Sequence, residues 1–486
     1  MKYLLALIAG ALLPLSLAPF GWWPLGMVSI GVWFLLARQN PQRGAMLGWL
    51  FGVGKFGIGV SWVYVSINVY GNAPPALAAA LVVIFVAGLA IFSLLNGVAY
   101  ARLRNQAPLL DALVFGCLFV GFEWLLTWVL TGFPWLFPAY GHLHTALAGF
   151  APAGGVFAVS LALTLSTCFA VAGYMNERKR WPLLLAVAPW LLGVALLQVN
   201  WVTPAAQRSV ALVQGNVDQA VKWLPERRSS IIDNYLRLSE PYWGVDTLVW
   251  PEAAITLMAH QAGPVIDGLQ RRGAAQGTSV VLGLPAVERL PDGEVVFRNT
   301  AVAVGAGSGR YVKRRLVPFG EYVPLEDVLR GLIDFFDLPM SHAAPGAWRQ
   351  PLLQLGADQA AMAICYEIVY PELVRAQSVG ADVLLTVSND SWFGASIGPL
   401  QHLQMAQMRA LENGRWLLRG TNNGVTAIVD HRGRLVDRLP QFQADTLVGE
   451  YWIMRGSTLY SVVGDWPVLG FLLVSLLFGA WRRHMG

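Results

Sequence analysis

A chain of 486 residues that is 55% hydrophobic and only 13% charged is not one large water-soluble domain, in which about a quarter of the residues carry charge. The apolar residues gather into long runs at both ends while most of the charge falls between about 205 and 455, so the chain meets two solvents. The net charge of +5 is small, and because Lys and Arg flank the apolar runs instead of clustering, they mark membrane topology and not a nucleic-acid footprint.

A helix needs about 20 mostly apolar residues to cross a bilayer. In chain order, eight stretches qualify: 3–19, 22–37, 44–66, 77–100, 109–131, 146–174, 181–199 and 460–481. The first has the outline of a signal peptide, with Lys2 ahead of an apolar run ending in Ser16, Leu17 and Ala18, but Pro19 stands where cleavage would occur and further spans follow at once. Basic residues occupy every second connection: Lys2; Arg38 and Arg43; Arg102 and Arg104; Arg178, Lys179 and Arg180; Arg482 and Arg483. The loops between, including 67–76 and 132–145, have none. Basic loops stay in the cytoplasm. Both termini are therefore expected there, with the large polar region on the far side, the periplasm of a Gram-negative cell. The expected organisation is a seven-helix transmembrane bundle over 1–200, a soluble domain over 208–455 and a last transmembrane helix within 456–486.

Two ionisable residues, Lys55 and Glu123, fall inside spans, where a lone charge is costly. They either pair within the bundle or reach a headgroup. Loop 132–144 carries His142 and His144, but with no further ligand nearby its aromatics read as an interfacial belt and not as a metal site.

From Ser209 the pattern changes. Short β-branched runs at 210–216, 247–250, 279–285, 299–305, 360–365, 383–389 and 425–430 read as buried strands, and 226–241, 263–276, 370–379 and 399–413 have helical periodicity. Such alternation predicts α/β layers.

Cys117 and Cys168 fall inside spans, leaving Cys365 as the one thiol of the soluble region, without a partner for a disulfide there. It ends the strand AAMAIC, and strand ends are where α/β proteins place reactive groups. Taken alone, a cysteine is more often an inert core residue. Two other segments change the reading. Strand TLVW stops at Pro251 and Glu252, and YVKRRLVPFGEYVP (311–324) carries Lys313 and Glu321 about a Pro/Gly-rich turn. Singly, Glu252 could cap a helix and Lys313 could belong to a solvated basic run. Together with Cys365 they form a set that suits acyl transfer: a thiol attacks as thiolate, a carboxylate takes its proton, and an ammonium stabilises the oxyanion that forms.

In order and spacing, WPE, the Lys313 segment, CYE (365–367) and VLLTVSNDSWFG (383–394) resemble the nitrilase superfamily, whose signature is a Glu, a Lys and a Cys from three strand ends. The resemblance implies an αββα sandwich. With the flanking spans and KWLPE around Trp223, nearly the whole chain resembles the apolipoprotein N-acyltransferase family. That resemblance implies transfer of an acyl chain from a phospholipid, typically phosphatidylethanolamine, onto Cys365 as a thioester, and then onto the α-amino group of a diacylglyceryl-cysteine at an apolipoprotein N-terminus. It implies Cys365 as nucleophile, Glu252 as base and Lys313 as oxyanion stabiliser, supported by Glu321, Tyr366 and Glu367. Trp223 falls in a substrate-contacting arm by this resemblance, or else is an ordinary interfacial anchor, and Asn389, Trp392 and Phe393 are further candidates for substrate contact. No metal or cofactor is expected, and a monomer is. Soluble relatives commonly have His where this chain has Arg315, which puts amidase specificity in doubt. The alternative is a membrane-tethered nitrilase-type amidase acting on a small C–N substrate.

Overall fold

The computed structural model describes residues 1–175, 181–290, 293–322 and 343–485. The basic cluster Arg178–Lys179–Arg180 and the end of the Pro/Gly-rich segment, Val323 and Pro324, lie outside the described residues. The chain forms two compact units. One comprises Met1–Tyr64, Pro75–Trp201 and Thr458–Gly486; the other comprises Val65–Pro74 and Val202–Ser457.

The first unit is helical, and helices occupy each of the eight apolar stretches: Lys2–Leu12, Pro24–Gln39, Gly44–Gly59, Pro75–Leu103, Pro108–Leu125, Ala151–Met175, Pro182–Leu197 and Trp466–Met485. Pro24, Pro75, Pro108 and Pro182 each open a helix, where a missing N–H costs nothing. Among the described residues, three helices are long and apolar enough to cross a membrane, Pro75–Leu103, Pro108–Leu125 and Ala146–Met175. A fourth crossing is made if Pro41–Gly59 and Val63–Tyr70, bent by 63°, count as one.

Glycines decide how these helices meet. Gly44, Gly48 and Gly52 recur every fourth residue of Gly44–Gly59 and face Gly97, Ser93 and Ala90 of Pro75–Leu103. A methyl group on Gly48 would fall 2.2 Å from the Ser93 carbonyl oxygen. Apolar solvent gives no hydrophobic drive between helices, so close backbone contact has to supply the attraction.

The second unit is built on two sheets. The strands are β1 (Val202–Gln214), β2 (Thr247–Val249), β3 (Ser279–Arg289), β4 (Val295–Gly305), β5 (Gly307–Ser308), β6 (Arg310–Val312), β7 (Leu353–Leu355), β8 (Asp358–Ile364), β9 (Val383–Ser388), β10 (Leu417–Thr421), β11 (Ala427–Val429), β12 (Leu435–Arg438) and β13 (Asp445–Gly456). One sheet runs β13-β1-β2-β3-β4-β6 and the other β12-β11-β10-β9-β8-β7-β5. Strand periodicity of two explains the layers. In β1, Val210 and Leu212 join a core with Met362, Ile364, Leu385 and Val387 of the second sheet. Ala211 and Val213 face the other way, against Ile231, Ile232 and Tyr235 of helix Arg228–Ser239 and Leu269 of helix Gly263–Gln276. The second sheet's outer side meets helices Pro371–Ser378 and Gly398–Asn413. This is the helix–sheet–sheet–helix order expected.

Candidate active site

Strand direction brings the chemistry together. β2 and β3 run parallel, β3 to β4 and β4 to β6 antiparallel, so β2 and β6 point the same way. β8 and β9 are likewise parallel. Glu252 follows β2, Lys313 follows β6, Cys365 follows β8 and Asn389 follows β9, the arrangement in which open α/β sheets build sites at carboxyl ends.

The Glu252 carboxylate is 6% exposed and fully engaged. One oxygen, Oε1, accepts from Asn299 Nδ2 at 2.7 Å and Lys313 Nζ at 3.2 Å; the other, Oε2, accepts from the Asn389 main-chain N–H at 2.8 Å. Lys313 also donates to Glu321 Oε1 at 2.9 Å, and Glu321 is fixed in turn by Asn299 at 3.0 Å and by the Val317 N–H at 2.8 Å. Two carboxylates thus share one ammonium and one amide. Burial raises the Glu252 pKa, but Lys313, the Asn299 and Asn389 hydrogen bonds and Lys222 outweigh it and hold its pKa below the usual range. Burial also works against the Lys313 charge and is overcome by Glu252 and Glu321, leaving its pKa well above normal.

Cys365 is partly exposed and begins a turn with φ of 53°, a left-handed conformation that a residue with a Cβ adopts at a cost. What holds it there is Glu367. Its Oε2 accepts from the Ile364 N–H at 2.8 Å, while Oε1 accepts from the Arg314 N–H at 2.7 Å, the Arg315 N–H at 3.1 Å and the Tyr311 hydroxyl at 3.0 Å. This carboxylate therefore ties the turn after β8 to the segment after β6, keeping Cys365 and Lys313 in register. The thiol is pushed well above the ordinary range by burial and by Glu252, against the pull of Lys313 and the Ser388 hydroxyl. The resting pair is thus neutral thiol and ionised carboxylate, and the proton has to pass to Glu252 as sulfur attacks.

A second buried network lies behind the thiol. Asp390 Oδ2 accepts from Arg419 at 2.7 Å, and Oδ1 accepts from the Ser388 hydroxyl at 2.5 Å. His402 Nε2 sits 3.2 Å from the Cys365 carbonyl oxygen and its Nδ1 3.0 Å from Arg419 Nη2. A carbonyl only accepts, so Nε2 carries a proton, while Nδ1 lies between Arg419 and Asp390 Oδ1, 3.1 Å away. Burial, together with Arg419, lowers the His402 pKa and keeps the ring neutral against the pull of Asp390.

The remaining expected residues divide. Asn389 holds Glu252 through its main chain and Gln219 Oε1 through its side chain at 2.7 Å. Tyr366 is buried with its ring edge-on to Tyr370, and Arg315 lies over the Tyr370 ring at 5.0 Å. Phe393 packs edge-on to His402, whereas Trp392 meets Tyr70, 5.9 Å between centroids, and its carbonyl accepts from the Ser66 hydroxyl at 2.7 Å. Trp392 therefore helps hold the segment Val65–Pro74 on the second unit, a feature absent from the sequence reading. Trp223 is half-buried in the turn over 219–223, next to a fully buried Lys222. Asn299, Lys222, Asp390, His402 and Arg419 went unnoticed in the sequence, although Lys222 and Asp390 adjoin the noted Trp223 and Asn389. Among the described residues no group of His, Cys, Asp and Glu could hold a metal.

Residues 209–451 match the carbon-nitrogen hydrolase family, which makes the second unit a domain of that class, and residues 9–169 match the apolipoprotein N-acyltransferase N-terminal domain. The apolipoprotein N-acyltransferase of Pseudomonas aeruginosa is 46% identical across 99% of this chain and 96% of its own length. That of Azotobacter vinelandii is 46% identical across 99% and 95%. The chain belongs to the apolipoprotein N-acyltransferase family. Among solved structures it is similar to Saccharomyces cerevisiae Nit3, of the nitrilase superfamily, at 17% identity over 52% of this chain and 92% of that one, with a TM-score of 0.38; the assignment rests on the sequence matches instead.

Proposed function

We propose that this chain transfers an acyl group from a phospholipid to the α-amino group of a diacylglyceryl-cysteine at an apolipoprotein N-terminus, through a thioester on Cys365. The observation that carries the reading is the convergence of Glu252, Lys313 and Cys365 at strand ends, in a chain whose relatives match it along nearly its whole length. Glu252 takes the thiol proton as sulfur attacks the ester carbonyl, and Lys313 faces the oxyanion. Collapse expels the lysophospholipid alkoxide, which receives that proton from Glu252. The acceptor amine then attacks the thioester, Glu252 takes a proton from nitrogen, and the departing thiolate recovers it. Both half-reactions need only the groups named.

Phosphatidylethanolamine is the donor in this reading, and the protein is a monomer with eight membrane crossings, both termini in the cytoplasm and the catalytic domain in the periplasm. Trp223, Trp392 and Phe393 line the approach of the substrates. The purified chain incubated with phosphatidylethanolamine should gain the mass of one fatty acyl group on Cys365 and release lysophospholipid, and a diacylglyceryl peptide with a free amine should remove that mass. Turnover of small soluble amides without any acyl adduct would replace this reading with a tethered amidase.

A further inference from the structure

One charged group in the site takes no part in the acyl-transfer scheme. Lys222 has 0% exposure, and among the described residues its Nζ has one hydrogen-bond acceptor, the main-chain oxygen of Glu252 at 3.2 Å. An ammonium has three N–H donors, so two have no protein acceptor among the described residues. Taking a cation out of water costs far more than one neutral carbonyl returns. A methionine would fill the same space without that cost.

The turn that carries it is held firmly. Asn422 binds Val217 from both sides, accepting from its N–H at 2.9 Å and donating to its oxygen at 2.8 Å, and Gln219 is bound to Asn389. Lys222 is thus presented to the same residue that Lys313 serves, with Lys313 on the carboxylate and Lys222 on the main-chain carbonyl. The ionisable groups that act on it are Glu252 and Cys365, the base and the thiol, while Lys313 and Glu321 meet it through Glu252. Lys313 alone serves both Glu252 and Glu321, and Lys222 adds a second cation beside the base, available when the oxyanion appears.

We propose that Lys222 is a second catalytic cation, its free N–H donors meeting the acyl carbonyl oxygen as Cys365 attacks the phospholipid ester and again as the amine attacks the thioester. This deepens the acyl-transfer reading and rests on it. No new bond or proton transfer is involved: the ammonium keeps its protons and stabilises charge that forms and disappears on oxygen. Burial lowers the Lys222 pKa to about 8 against the pull of Glu252 and Cys365, so the cation is present below that pH and lost above it.

The test is single-turnover thioester formation on the full chain in detergent, with phosphatidylglycerol as donor so that neither a headgroup amine nor the acceptor amine titrates. Lys222→Met is expected to slow acylation about 100-fold, the scale of losing one oxyanion donor, with half-saturation by lipid unchanged and thermal stability not reduced. Lys222→Arg keeps the charge at all pH values, so the fall in acylation expected above about pH 8 in the unmodified chain should vanish in it. Acylation by Lys222→Met within threefold of the unmodified rate, or an alkaline fall that persists in Lys222→Arg, overturns the proposal. Should Lys222→Met fail to fold, the Lys222→Arg profile decides alone. If the unmodified chain forms no adduct on Cys365, the acyl-transfer reading itself fails, a result distinct from an adduct whose rate ignores Lys222.

Discussion

Each unit of the molecule buries a lysine beside a glutamate, and the two pairs differ in everything else. In the catalytic unit Lys313 and Glu252 are 3.2 Å apart, and every oxygen of the carboxylate has a donor. In the helical unit Lys55 and Glu123 stand 4.0 Å apart, both Glu123 oxygens lack a hydrogen-bond partner among the described residues, and the nearby Asn96 amide lacks one too. Lys55 lies instead 5.3 Å and 5.9 Å from the ring centres of Phe56 and Phe119. A buried ion pair is secure only when further hydrogen bonds complete it. The first pair is therefore a fixed electrostatic device, and the second is loosely held.

The sharpest way to break the comparison is to remove the reacting groups of the first pair's site. Cys365→Ala should lower acyl transfer by about 10⁴-fold or more, and Lys313→Met by about 10³-fold, read as lysophospholipid release; near-normal release from either would mean that the cluster is structural. A related check needs no substitution. Because the Cys365 thiol is held protonated, alkylation by iodoacetamide should be slow at neutral pH and accelerate steadily as pH rises past 9, whereas saturation near neutrality would reveal a preformed thiolate. Glu367→Gln turns a carboxylate that accepts from three N–H groups and a hydroxyl into an amide with N–H groups of its own. It should cost about 2 kcal/mol of stability and slow acylation by about 100-fold, because the Cys365 turn loses its clamp. The smallest effect is expected in the helical unit. In a double-mutant cycle of Lys55→Met and Glu123→Gln, a coupling of about 1 kcal/mol in a detergent unfolding assay is expected, and strictly additive losses would show that the pair contributes nothing.

What the sequence disclosed follows from how each residue is held. Glu252 and Cys365 terminate short apolar strands, so an abrupt charge or thiol after a β-branched run identified them. Lys313 and Glu321 sit in one segment beside a Pro/Gly turn. The positions of the helices were legible from apolar length, although most are shorter than the stretches that foretold them. β10 escaped notice because Arg419 interrupts it, and an arginine in a strand reads as a surface residue; only the fold supplies the buried Asp390 that neutralises it. His402 was hidden inside a helix by ordinary periodicity. Lys222 was passed over because nothing in KWLPE marks a lysine beside a tryptophan as buried. The association of Val65–Pro74 with the second unit depends on contacts to Ser66 and Tyr70 that no local pattern encodes.

The first and last strands of the catalytic unit lie side by side. β1 and β13 pair antiparallel from Val202 opposite Gly456 to Gln214 opposite Asp445, so the polypeptide enters and leaves the domain at one spot. A fold with adjacent ends can be spliced into a connection between two helices without stretching either. The ladder that closes the sheet thereby also fastens the start of Val202–Ser457 to its end, so fraying at either one loosens both.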